Sequence, residues 1–405
     1  MRYVIIGNSA AAIGCVEGIR QIDKTGEITV ITDEPHHTYS RPLISCLIEG
    51  KVTGEKMKYR PDGFYQSKGC ILLSNTAANR IDTQKKVVIL SDGRVTAYGK
   101  LLVATGARAF IPQIEGIDTV KEKYTFTSFD DAKKLESALG KDKRVLIVGA
   151  GLIGLKCAEG IRKRIGHITV VDTAAQVLPN ILDESGARLV QNMFEKEGVE
   201  FILGKSLKRF DKNNAVLDEE NIAFDIVVLA AGVRPNTELL EGIAEIERGI
   251  VINEKSETSA PDIYAAGDCT ESVDAVSGQR KIMALLPNAY MQGECAGINM
   301  AGGEKCFDKA IPMNAVGFFG LHIITAGSYI GETYESTENG NYKRLFYGDD
   351  KLNGYILMGN VEKAGIYTSL IRERTPLHTL DFTLICEKPG LMAFAREVRA
   401  QKLGG

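Results

Sequence analysis

Between Arg144 and Asp172 the chain spells out a complete nucleotide-binding unit, and few folds can accommodate such a stretch. After Arg144, Val145-Leu146-Ile147-Val148 is a continuous apolar run of the kind buried on both faces of a parallel sheet. Gly149-Ala150-Gly151-Leu152-Ile153-Gly154 follows, then a helical run to Ile165, then Ile168-Thr169-Val170-Val171 ending in Asp172. A lone G-x-G-x-x-G says little. Here a strand before it, a helix after it and an acid 23 residues beyond Gly149 together describe a dinucleotide fold.

The spacing has a physical reading. Gly149 permits the tight turn, Gly151 has no Cβ to hold a pyrophosphate off the backbone, and Gly154 lets the helix lie close to the strand. Free N–H groups around Leu152 and Ile153, with the positive end of the helix dipole, then face the phosphates. Asp172 is placed to accept hydrogen bonds from a ribose 2′-hydroxyl, and its charge repels the 2′-phosphate of NADP, so NADH is the expected coenzyme. Arg162-Lys163-Arg164, late in the same helix, reads as a solvated face.

At 405 residues the chain exceeds what one core supports, and two or three domains are expected. Its net charge of -3, with no basic tail or acidic block, gives nucleic-acid binding no support. The eight cysteines are scattered without a C-x-x-C pair and the five histidines have no metal spacing with them, so no metal site is expected and a reducing cytoplasm fits. Met1-Arg2 and the apolar run towards Cys15 imitate an export leader, but Gly7-Asn8-Ser9 interrupts the run, and a second strand and an acid follow at dinucleotide spacing. No apolar segment approaches the roughly 18 to 20 residues that span a bilayer.

The same unit is written less strictly at the start of the chain. Tyr3-Val4-Ile5-Ile6 is a buried-strand pattern, Gly7-Asn8-Ser9-Ala10-Ala11-Ala12 the turn, and Glu27 to Thr32 the next strand, followed by Asp33 and Glu34. Ser9 replaces the middle glycine and Ala12 the last. The small side chains still permit backbone approach, and Ser9 adds a hydroxyl donor for phosphate. Asp33 or Glu34 takes the adenosine ribose, with Glu34 the preferred of the two. Further along, Leu101 to Arg108 and Leu229 to Asn236 are similar strands running into small-residue turns, each closing one nucleotide unit, and Ile263-Tyr264-Ala265-Ala266-Gly267-Asp268 is a strand ending in an acid suited to a polyol chain. Asp268 as a helix N-cap is the plain structural alternative.

The ordered set Gly7-Asn8-Ser9-Ala10-Ala11, Ala104-Thr105-Gly106, Gly149 to Gly154, Ala231-Gly232-Val233-Arg234-Pro235-Asn236 and Ile263 to Asp268 resembles the pyridine nucleotide-disulfide oxidoreductase superfamily, in particular its NADH:rubredoxin oxidoreductase, NADH oxidase and nitrite reductase flavodomain branch. The resemblance covers almost the full length. It implies an α/β chain with two Rossmann-like, glutathione-reductase-type domains and a small C-terminal α+β domain. The FAD-binding domain is assembled from residues 1–112 and 241–304, the NADH-binding domain occupies 113–240 between those segments, and the last domain spans 305–405. By resemblance, FAD is held by Gly7, Ser9, Ala10, Ala11, Asp33, Glu34, Arg41, Pro42, Ala78, Ala104, Thr105, Gly106, Gly267, Asp268, Pro287 and Asn288. NADH is held by Gly149, Gly151, Leu152, Ile153, Gly154, Asp172 and Gly232. Hydride then passes from NADH to flavin N5 with no side-chain base, the cofactors carrying the chemistry. A helix running from Asn288 to Met300 would stabilise the reduced flavin with its N-terminal dipole.

Two departures bear on the acceptor. Disulfide reductases of the superfamily carry a C-x-x-x-x-C dithiol that is absent here, and Cys46 falls a few residues later than a single redox cysteine should. Ferredoxin-reductase relatives usually carry lysine at the position of Cys46 and glutamate at that of Lys156; Lys156 can pair instead with Glu159, one helical turn on, or the two can be separate solvated helix charges. The expected partner is therefore a small redox protein, a rubredoxin or ferredoxin-type iron-sulfur protein. The alternatives are an NADH oxidase, a thiol-dependent disulfide or peroxide reductase using Cys46, and a flavin-binding subunit of a larger redox complex or homodimer. After Lys305 short strands are expected over Ala315–Phe319, Ile323–Ala326, Lys343–Tyr347 and Gly354–Met358, with turns at Asn339 and Gly348 and a helix over Ala364–Arg372.

Overall fold

The computed structural model describes residues 1–218, 220–395 and 399, so that most of the last ten positions of the expected C-terminal domain lie outside the described residues. The chain divides into two compact units. The first comprises Met1–Leu178, Phe194–Val273 and Arg280–Asp308, and the second Pro179–Met193, Asp274–Gln279 and Lys309–Gly405.

The first unit holds two five-stranded sheets of the same design. In one, the order is Ile263–Ala265, Lys100–Val103, Arg2–Ile6, Glu27–Ile31 and Cys70–Leu73. In the other it is Val199–Leu203, His167–Asp172, Arg144–Val148, Ile226–Leu229 and Lys123–Tyr124. Every pairing in both sheets is parallel. The central strands are buried from their second residue on, which is why their sequences are unbroken apolar runs rather than alternating ones. Each sheet is accompanied by a small three-stranded antiparallel meander, Ala78–Ala97 in the first and Arg209–Ala223 in the second. The second sheet is formed entirely between Lys123 and Leu229, whereas the first receives its last strand, Ile263–Ala265, from beyond it.

The second unit is built on a five-stranded antiparallel sheet ordered Met313–Phe318, Leu321–Gly327, Lys351–Met358, Asn341–Gly348 and Glu332–Glu338, with the helix Ala364–Arg372 against it. Four of these strands and the helix fall where the sequence places them. The fifth, Glu332–Glu338, carries a polar sequence because it is a sheet edge exposed along most of its length.

Candidate nucleotide-binding sites

The two glycine turns are built alike. Gly7 and Gly149 both have φ +118°, and each donates its N–H to the end of the neighbouring strand, at Ile31 O and Val171 O, over 2.8 Å. A Cβ on Gly7 would run into the carbonyl of Ala104, and one on Gly149 into that of Ala230. Glycine is therefore required at both turns by sterics as well as by φ. Gly154 is equally constrained, lying against the carbonyl of Gly149, while Gly151 faces open space at the N-cap of helix Leu152–Ile161. That is the geometry a phosphate needs: bare backbone at a helix start with no side chain in the way. At the first turn Ser9 is the N-cap of helix Ala10–Ile22, yet its hydroxyl makes no capping bond.

The acids differ. Asp172 ends its strand with Oδ2 accepting from Ala150 N–H at 2.6 Å and Oδ1 from Ala174 N–H at 2.8 Å. Thr173 Oγ1 also donates to Oδ1, at 3.5 Å, and Oδ2 keeps a second lone pair that can accept from a ligand hydroxyl. In the first fold Asp33 is exposed, and Glu34 is the acid paired with the guanidinium of Arg41. Arg41 also donates to Thr127 O at 3.2 Å, and Pro42 beside it is exposed. Burial works against the Arg41 charge, but Tyr39, Glu34 and Asp268 around it outweigh this and hold it above its ordinary value. Asp268 answers it from the end of the returning strand. Burial pushes its carboxyl above the usual range and Arg41 acts against that shift. No helix follows Asp268; the next element is the strand Thr270–Val273, so the N-cap alternative is discarded.

The two matching strand-and-turn segments meet each other. Ala107–Ala109 pairs antiparallel with Val233–Pro235, and Thr105 and Asn236 exchange two hydrogen bonds, Thr105 Oγ1 to Asn236 O at 2.7 Å and Asn236 Nδ2 to Thr105 O at 2.9 Å. Ala104 is buried, Gly106 and Gly232 have positive φ and open surroundings, and Ala78 is half-buried at the start of the meander. Helix Leu286–Met300 begins two residues earlier than the sequence suggests, with Pro287 in its first turn, where a missing N–H is harmless, and Asn288 buried.

That helix packs on Ala10–Ile22 through a contact that sequence reasoning missed. Gly293 lies on the carbonyl of Ala11 and Gly297 on that of Cys15, while Gly14 receives the carbonyl of Tyr290 and Gly18 that of Glu294. Contacts advance along both helices together, so the helices run parallel and Gly267, against Ala11 and Ala289, sits beside both of their starts. The signal was readable as glycine at a spacing of four in each helix.

Cys46 is half-buried on the short helix Ile44–Glu49, which packs on Leu152–Ile161 with Gly160 against Ser45. Lys156 and Glu159 are joined as an ion pair in which Glu159 is only 7% exposed, so this is not a solvated face. The Arg162–Arg164 turn, in 3-10 form after the helix ends at Ile161, is also partnered: Arg164 bonds Glu136 at 2.6 Å and Ile48 O at 3.0 Å. His36 bonds Asp130 at 2.7 Å and packs on Phe129. Among the described residues no group of three or more His, Cys, Asp or Glu side chains is arranged to hold a metal ion, and no helix is long and apolar enough to cross a membrane.

Comparison with known proteins agrees with this geometry. Residues 1–293 match the family model described as pyridine nucleotide-disulphide oxidoreductase, and residues 312–375 the model described as rubredoxin NAD+ reductase C-terminal domain. The chain is 31% identical to the epsilon subunit of the NADH-dependent phenylglyoxylate dehydrogenase of Aromatoleum evansii, over 99% of this chain and 97% of that one. It is 36% identical to an NADH oxidase of Methanocaldococcus jannaschii, over 76% of this chain and 71% of that one. It spans about half the length of its nitrate and nitrite reductase relatives. The reductase in a covalent putidaredoxin reductase-putidaredoxin complex shares the fold, with a TM-score of 0.88 at 24% identity over 96% of each chain.

Proposed function

We propose a function from one premise: this chain belongs to the pyridine nucleotide-disulphide oxidoreductase family. It holds FAD on the first fold and NADH on the second, and passes electrons from NADH to a small redox protein of the rubredoxin or ferredoxin kind. The observation that carries this reading is the return of Ile263–Ala265 to the first sheet after the second fold is complete, which brings Gly267 against Ala11 at the first glycine turn and Asp268 within electrostatic reach of Arg41. The match of residues 312–375 supports the partner, and eight free thiols are compatible with the reducing compartment expected from the sequence.

The residues present suit both groups. Gly7 and Ser9 leave room for a pyrophosphate, Arg41 supplies a cation between two acids, and Asp268 offers a carboxylate to hydroxyl donors. FAD, when bound, supplies the means of taking a hydride from NADH and releasing electrons onward. The protein orients and stabilises. The starts of Ala10–Ile22 and Leu286–Met300 point their positive dipole ends the same way, which favours a ligand that gains negative charge. No protein proton moves in the hydride step, so no side-chain base is required.

Mixing the holoenzyme with NADH in a stopped-flow instrument should bleach the flavin rapidly, and a rubredoxin or ferredoxin should restore its colour faster than oxygen does. Cys46→Ser should leave both phases within about twofold of the wild type. Absence of bleaching would sink the enzyme reading, and a Cys46→Ser variant that bleaches but no longer turns over would transfer the function to a thiol reductase. A second reading, a flavoprotein subunit of a larger dehydrogenase, is favoured by the end-to-end match to subunit epsilon. It requires bleaching by NADH with no small protein acceptor.

Coenzyme choice rests on Asp172. Removing a charged acceptor of ribose hydroxyls costs about 1.5–3 kcal/mol, so Asp172→Ala should lower kcat/KM for NADH roughly 10- to 100-fold. NADPH, relieved of charge repulsion, should lose less. An unchanged NADH to NADPH ratio would remove Asp172 from the site.

A further inference from the structure

Ala150, the middle residue of the second glycine turn, is completely buried, and both of its backbone polar groups are held by one short segment of chain. Its N–H donates to Asp172 Oδ2 at 2.6 Å. Its carbonyl accepts from the N–H of Leu178 at 3.0 Å. Leu178 is 1% exposed and has φ +50°, a left-handed conformation that a bulky side chain rarely adopts. Pro179 follows, and a proline narrows the backbone choices of the residue before it still further. With its amide tied to Ala150, the left-handed φ is what lets the leucine side chain stay buried while the chain leaves towards Pro179. A residue that refuses this φ must give up the amide bond or the burial.

We propose that Leu178 is a positioning residue for the coenzyme. It holds the glycine turn from the carbonyl side, as Asp172 holds it from the amide side, and so fixes the N–H groups of Gly151, Leu152 and Ile153 in place before a pyrophosphate arrives. Strained backbone of this kind persists only where the surroundings over-determine it, and it concentrates at ligand clamps. The benefit is pre-organisation: a turn already ordered loses less freedom on binding. The effect therefore belongs to NADH affinity and not to the rate of hydride transfer at saturation. This inference rests on the second fold being the NADH site.

Isomeric side chains separate it from simple core packing. Isoleucine has the atoms of leucine, but its branched Cβ opposes a left-handed φ. Methionine is unbranched, of similar volume, and usually tolerated in place of leucine. Packing alone predicts that L178I and L178M behave alike. The experiment measures NADH-dependent bleaching of the purified FAD-loaded variants, with ADP-ribose as a competitor that carries the pyrophosphate but no nicotinamide. L178I should bind NADH about tenfold more weakly than L178M, a strain penalty of the usual size for such backbone. The constant for ADP-ribose should shift by the same factor, and the limiting bleaching rate should agree between the two. Equal NADH constants for L178I and L178M overturn the proposal.

If L178I fails to retain FAD, a second pair decides. L178G keeps the amide and accepts the left-handed φ freely, whereas L178A retains the conflict while burying more. Tighter NADH binding by L178G than by L178A supports the clamp, and the reverse order overturns it. A wild-type protein that NADH does not bleach removes the NADH reading itself, and that result is seen before any variants are compared.

Discussion

Gly149→Val is expected to abolish flavin bleaching by NADH while FAD remains bound. The turn at Gly149 has φ +118°, outside the reach of a β-branched residue, and the added Cβ would collide with the carbonyl of Ala230. The turn cannot swing aside, because the N–H of Gly149 is bonded to Val171 O at 2.8 Å and Ala150 is held at both its amide and its carbonyl. Two independent penalties of about 1–3 kcal/mol each put the loss in kcat/KM for NADH at roughly 100-fold or more. Reduction by dithionite should be normal, since the flavin's own turn at Gly7 is untouched. Bleaching by NADH at the wild-type rate would mean that the second fold is not involved in the reaction.

Gly293→Val is expected to do the opposite damage, to FAD retention and to folding. Gly293 lies on the carbonyl of Ala11, and its helix meets Ala10–Ile22 backbone to backbone at four successive positions, so a valine there has nowhere to go. Over-packing of this kind costs about 1–3 kcal/mol where side chains can yield and more where the obstacle is main chain. Separating the helices would also move both of their starts away from Gly267. The FAD-to-protein ratio and the thermal midpoint should both fall, the latter by more than about 5 °C. A variant with full FAD content and an unchanged midpoint would show that the close approach is incidental.

Much of this arrangement was legible in the residues. Parallel strands buried on both faces betray themselves as unbroken apolar runs, so Arg144–Val148 and Arg2–Ile6 were readable, and turns that need positive φ announce themselves as Gly7 and Gly149. The hairpin turn at Asn339 was visible for the same reason, with Gly340 beside it, and the turn expected at Gly348 takes its positive φ at the next two residues, Asp349 and Asp350. The helix after Gly154 reads too long, to Ile165, because Arg162–Arg164 continues a helical pattern while its side chains bond Glu197 O, Glu49 and Glu136. Glu332–Glu338 was not legible, since an exposed edge needs no apolar face. Leu178 could not have been found at all. A left-handed leucine has no sequence signature, because tertiary contacts and not local preference put it there.

The order of the strands also dictates a schedule for making the protein. All five strands of the second sheet lie between Lys123 and Leu229, so that fold can form as soon as its own stretch has been synthesised. The first sheet has four of its strands by Val103 but cannot be finished until Ala265 emerges, and helix Ala10–Ile22 waits for its partner until Met300. At about 5–20 residues per second, that is a delay of roughly 4–14 s after the second fold is complete. Of the two nucleotide folds, the one that begins first is thus the one finished last; the nascent chain exposes the edge at Lys100–Val103 until Ala265 emerges, and the glycine-lined face of Ala10–Ile22 until Met300 does.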